Sequence, residues 1–129
     1  MNRSQIINVL GDKTYDSCHI EGSINVPLED LAEYVKQFSK EAEIVVYSTN
    51  SQDYTTYEGA KLLKALGYTK VYAYLGGLAD WYNQGLPTTG LCKTELMPHL
   101  PKEEKVYEHP KGIEFISAQE LSQRMDILI

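Results

Sequence analysis

Two cysteines, three histidines and one polar run are the parts of this 129-residue chain whose residue types could do chemistry. Cys18 and Cys92 match no CxxC or zinc-ligand spacing and are too few for a disulfide framework, so they read as free thiols suited to a reducing compartment. Cys18 is expected to be packed and inert, and Cys92, with only Lys93 nearby to lower its pKa, to be incidental. Ser48, His19 and Asp16 can be written as nucleophile, base and orienter, but a triad needs contact in space. A local role for His19, bonding to backbone and fixing the turn into Gly22, accounts for it more simply. The run Ser48-Thr49-Asn50-Ser51-Gln52-Asp53-Tyr54 offers hydroxyls and amides, which suit a neutral polar group. From Ser48 to Glu58 there are two acids and no Arg or Lys, so an anion would be repelled there. Tyr47, Tyr54, Tyr57, Tyr72 and Tyr74 gather near the same end, either as a recognition surface or as rings buried with their hydroxyls reaching water.

The elements that must position these residues are legible in the apolar pattern. Apolar, β-branched runs at Gln5 to Leu10, Ile24 to Pro27, Glu43 to Ser48 and Val71 to Leu75 read as buried strands. Leu28, Leu31, Val35 and Phe38 recur at helical spacing, as do Ala60, Leu63 and Leu66. The helix from about Thr55 to Leu66 opens on Thr55-Thr56-Tyr57-Glu58, a capping-box spacing, and Gly67 suits its left-handed stop. A short helix over Leu78 to Gln84 ends before Gly85-Leu86-Pro87. Strands alternating with helices imply an α/β fold, a doubly wound and mostly parallel sheet flanked by helices. From Thr88 to Pro110 the pattern is lost and reads as a linker. Gly112 to Ile116 then reads as a short strand, and Ser117-Ala118-Gln119-Glu120 as a second capping box that opens a helix to about Met125.

With 43% hydrophobic residues the chain can bury one ordinary core without staples. Its net charge of -6, with basic residues scattered singly, disfavours nucleic acid and anionic membrane as partners. The N-terminal Met1 to Ile7 is too short an apolar stretch for a signal region, and about 18 consecutive apolar residues occur nowhere, so cytoplasmic residence is the expectation. No metal or cofactor is expected.

Four separated segments together resemble the rhodanese family. They are Cys18-His19-Ile20-Glu21-Gly22-Ser23-Ile24-Asn25-Val26-Pro27, the strand Ile44-Val45-Val46-Tyr47-Ser48, Ala60 to Tyr68, and Leu75-Gly76-Gly77-Leu78-Ala79-Asp80-Trp81 with Gly85-Leu86-Pro87. The resemblance covers roughly residues 5 to 87 and implies an active loop at the carboxyl end of a strand. It also implies that active members carry a sulfur-accepting cysteine where this sequence has Ser48. A persulfide needs a soft, ionisable thiol, and a serine hydroxyl forms none. The family commonly braces the site with an Asp and an Arg where Asn8 and Leu10 stand here. His19 occupies the family's usual histidine position. The resemblance therefore points to a non-catalytic binding or regulatory module whose binding loop is Ser48 to Tyr54, braced by Asn8 and His19. Its ligand would be an unknown protein or a small polar molecule. The alternatives are a sulfurtransferase whose cysteine has been replaced by Ser48 or that uses another thiol, and a phosphatase-like relative, which the missing loop arginine disfavours.

Family members usually begin with a strand and helix ahead of the strand that here starts at Gln5. The sequence is accordingly divided into a core over 1–90, a linker over 91–111 and a strand-helix tail over 112–129. The tail resembles that opening element. It is expected to cross back to its own sheet through the linker, at roughly 3.3 Å per extended residue, or to complete a neighbour's sheet in a homodimer. The plainer alternative is that it begins a second, truncated module.

Overall fold

The computed structural model describes residues 4–92 and 112–125. In chain order the elements are β1 (Gln5–Asn8), α1 (Asp12–Ser17), β2 (Cys18–Ile20), β3 (Ile24–Asn25), α2 (Leu28–Tyr34), β4 (Glu43–Tyr47), α3 (Tyr54–Ala65), β5 (Lys70–Tyr74), α4 (Gly77–Asn83), β6 (Thr88–Gly90), β7 (Ile113–Phe115) and α5 (Ala118–Arg124). A five-stranded sheet has the order β3-β1-β4-β5-β7, and all of its pairings are parallel.

The alternation of side chains along each strand sorts the core into two layers. Ile7, Val9, Ile44, Val46, Val71 and Ala73 face one side, where they meet Leu31 and Val35 of the α2 region and Ala60 and Leu63 of α3. Ile6, Val45, Tyr47 and Tyr74 face the other, where Leu78, Ala79 and Trp81 of α4 and Ala118 and Leu121 of α5 cover them. The continuous apolar stretches of β1 and β4 exist because both of their faces are covered.

The α/β expectation holds, with adjustments that have local causes. The helix expected to open at Thr55 instead takes Asp53 as its N-cap, because the Asp53 carboxylate accepts the Thr55 amide at 2.9 Å. Asp is a stronger cap than Thr. Thr88 to Gly90, assigned to the linker, forms β6 and pairs antiparallel with β2, with Cys18 opposite Gly90 and Ile20 opposite Thr88. A three-residue strand with the sequence Thr-Thr-Gly carries no apolar pattern to reveal it. Of the rest of the expected linker, Leu91 and Cys92 are described and residues 93–111 lie outside the described residues.

The two cysteines are not free. Cys18 and Cys92 are joined in a disulfide across 74 positions of sequence, with a Cα–Cα distance of 4.7 Å. The β2–β6 pairing produces this contact by setting Gly90 against Cys18, which returns Cys92 to the same spot. Sequence spacing cannot register a neighbour made by tertiary pairing, so the reading as free thiols fails.

The tail lies on the chain's own sheet. Ile113, Glu114 and Phe115 pair with Val71, Tyr72 and Ala73 of β5, and Ser117 caps α5 in a complete capping box with Glu120, as its spacing predicts. At the far end of α5, Arg124 reaches the Glu43 carboxylate at 3.3 Å, and Ser4, just ahead of β1, donates to the same oxygen at 2.9 Å. The end of α5 therefore sits beside the start of β1.

Candidate functional site

The chain leaves β1 toward β3 on one side of the sheet and resumes at β4 on the other, so the strand order reverses between β1 and β4. In open α/β sheets the crevice beyond the carboxyl ends of the strands at such a point is where ligands bind. Asn8 closes β1 there, and Ser48 follows β4.

Ser48 is fully buried. Its hydroxyl lies 2.7 Å from the Thr56 hydroxyl of α3, which is buried as well. The Ser48 carbonyl accepts the Leu78 amide at 2.9 Å and the Thr49 carbonyl accepts the Ala79 amide at 2.8 Å, so the start of α4 holds the start of the turn. This close approach requires Gly77, whose φ is +68° and where a Cβ would stand 2.6 Å from the Ser48 carbonyl oxygen.

Beyond Thr49 the turn bonds to itself. Asn50 accepts the Gln52 amide on Oδ1 and the Asp53 amide on its carbonyl. The Asp53 carboxylate also accepts the Thr55 hydroxyl at 2.6 Å and the Thr49 hydroxyl at 3.4 Å. Burial pushes the Asp53 carboxyl up, but hydrogen bonds from Thr55 and Thr49 outweigh it and hold the group below the usual carboxylate range. A negative charge therefore already sits at the positive end of α3, where a helix would otherwise attract an anion. Ser51 is nearly buried and Tyr54 is 54% exposed. Glu58, the second acid of this stretch, is exposed and pairs loosely with Lys61 at 3.7 Å.

Asn8 is fully buried, and its Oδ1 accepts the Leu10 amide at 2.9 Å. Its Nδ2 is the buried side-chain polar atom without a hydrogen-bond partner among the described residues. On the same face the Tyr47 hydroxyl accepts the Ile20 amide at 3.0 Å and meets the Ser23 hydroxyl at 2.7 Å. Burial pushes the Tyr47 phenol up to about 12, so it stays protonated and ties the end of β4 to β2.

His19 stacks on the Tyr15 ring at 3.7 Å, and its Nδ1 lies 2.7 Å from the Tyr15 carbonyl. This is the local, backbone-bonded role. The hydroxyl of Ser48 and the ring of His19 thus have separate partners, Thr56 and Tyr15. Of the five tyrosines, Tyr47, Tyr57 and Tyr74 are buried and Tyr72 is partly so, which leaves Tyr54 as the exposed ring at the turn. Sequence reasoning placed the turn but missed Thr56, the partner of Ser48. A Thr eight residues after Ser48 carries no signal of its own until the helix start is fixed.

The model of the rhodanese-like domain family matches residues 1–84. A thiosulfate sulfurtransferase GlpE from Shewanella oneidensis is 27% identical over 81 residues, 60% of this chain and 75% of that protein. Among solved structures, a Rhodanese_3-like domain from Anabaena sp. is 34% identical with a TM-score of 0.61, covering 66% of this chain and 97% of that one. A rhodanese with anions from E. coli is 25% identical with a TM-score of 0.56, covering 67% and 98%.

Proposed function

This chain belongs to the rhodanese-like domain family, and from that premise we propose that it is a non-catalytic member that binds a protein or a small neutral polar molecule at the turn from Ser48 to Tyr54. The observation that carries this reading is the state of Ser48. We take it to stand at the position of the sulfur-accepting cysteine, and its hydroxyl is buried against Thr56. Sulfur transfer requires an ionisable thiol that meets its donor. The Asp53 carboxylate supports the same conclusion, since it would repel anions of the kind that accompany the E. coli rhodanese. Exposed Tyr54 supplies an amphipathic ring for a partner.

In this reading 4–90 and 112–125 form one unit, with the described part of the tail playing the part of the opening strand and helix. Cytoplasmic residence is included in the proposal, and no described helix is long and apolar enough to cross a membrane. A cytoplasmic thiol pool would act on the Cys18–Cys92 bond.

A second reading, a sulfurtransferase whose cysteine has been replaced by Ser48, draws support from the likeness to a protein named thiosulfate sulfurtransferase. Thiocyanate formation from thiosulfate and cyanide, measured for the protein and for Ser48→Cys, separates the two. We expect silence in both, because a cysteine placed there would be buried and faced by Asp53. Activity restored in Ser48→Cys would favour the second reading, and activity of the unchanged protein would overturn the first.

A further inference from the structure

We propose that the Cys18–Cys92 disulfide is a thiol-exchange site, attacked at Cys92, whose opening loosens the C-terminal strand-helix. The two sulfurs differ in access. Cys18 is 1% exposed and belongs to the core layer beneath α4 and α5, whereas Cys92 is only partly buried against that layer. An external low-mass thiolate therefore reaches the Cys92 sulfur. A new S–S bond forms between that thiol and Cys92 as the Cys18–Cys92 bond breaks, and Cys18 leaves as a thiolate that takes a proton from water. A second thiolate attacks the external sulfur of the mixed disulfide and releases the small disulfide with a Cys92 thiolate. The protein gains two electrons, and two small thiols are oxidised. A leaving thiolate in apolar surroundings has a raised pKa and departs slowly, so the bond withstands brief exposure and opens under sustained reduction.

Two observations tie this exchange to the tail. Cys92 has φ +46°, a left-handed conformation that a non-glycine residue adopts at a cost, and it is held there by the disulfide and by its amide bond to the Ser17 carbonyl at 3.1 Å. Opening the disulfide removes one of these two restraints. The buried layer containing Cys18 also contains Ile116, Ala118 and Leu121, and Cys92 and Met125 each pack against that layer. A Cys92 that turns away uncovers part of the layer to which the α5 residues also belong.

The test uses the full chain, purified without reductant. Thiol titration of the denatured protein should find no free thiol before reduction and both after it. Amide exchange read by mass spectrometry should then be severalfold faster over residues 113–124 in the reduced protein, with β4 unchanged. Because reduction alters no residue, misfolding of a variant cannot produce this result. Oxidised glutathione should label Cys92 in Cys18→Ala and leave Cys18 unlabelled in Cys92→Ser. Free thiols in the untreated protein, equal exchange of the tail in both states, uniform loosening that includes β4, or preferential labelling of Cys18 would each overturn the proposal.

Discussion

Two turns in this molecule lead from a parallel strand into a capped helix, and they are built in opposite ways. Between β7 and α5 the chain spends only Ile116 and Ser117, and the reciprocal Ser117–Glu120 box closes the helix end. The turn from β4 to α3 runs from Ser48 to Asp53, and its backbone is held from outside by the Leu78 and Ala79 amides. The short turn depends on what its helix buries, since Ala118 and Leu121 are core residues. The long turn depends on polar bonds to a neighbouring element and within itself. Extra residues whose shape is fixed by another element are what a fold needs to present a binding site, whereas a minimal turn only connects. That contrast is why we propose the binding site at β4 rather than at the tail.

If the tail is held by burial, truncating its central apolar contact has the largest effect. Leu121→Ala should cost about 3 kcal/mol, within the range for a fully buried leucine, read as a lowered urea midpoint. A loss of only a few tenths would mean that α5 is a loose appendage. Next in size is Gly77→Ala, where the added methyl meets the Ser48 carbonyl and the backbone must keep φ +68°. We expect a loss of about 2 kcal/mol, with amide shifts concentrated at residues 48–53. Shifts spread evenly through the domain would break the claim that α4 holds the long turn.

The comparison also explains what could be read beforehand. β1, β4 and α3 were legible because burial on both sheet faces, or along one helix stripe, imposes a pattern on many residues at once. The Ser117–Glu120 cap was legible because its partners are three apart. The same local logic misplaced the cap of α3, where Thr55-x-x-Glu58 gave a plausible box and Asp53 competed successfully for the Thr55 amide. At the candidate site the polar run was visible, but its main contacts were not. Ser48 with Thr56, Gly77 with Ser48 and Cys18 with Cys92 all join positions brought together by topology, and β6 was missed because its three residues form a strand only beside β2.

The two caps sharpen the contrast at smaller energies. Ser117→Ala removes the Ser117 side of the box with Glu120 and should cost about 1 kcal/mol, read as a lowered urea midpoint. A loss near zero would mean that burial alone holds the short turn.

Asp53→Asn is expected to have the smallest effect at neutral pH, a few tenths of a kcal/mol, because Asn caps a helix about as well as Asp. Its signature is in acid. The folded carboxyl titrates below its unfolded value of about 3.9, so the unfolded chain takes up the proton first as pH falls. The stabilisation from the charged group is therefore complete above about pH 4 and is lost as pH drops through the folded pKa. Subtracting the stability of Asp53→Asn from that of the unchanged protein should give a difference that is flat from pH 5 to 7 and declines below about 4. A difference that grew on acidification would mean that the carboxylate is a burden in the folded turn. The positive end of α3 would then still be open to an outside anion, and the contrast between a self-satisfied turn and a vacant one would have to be drawn the other way.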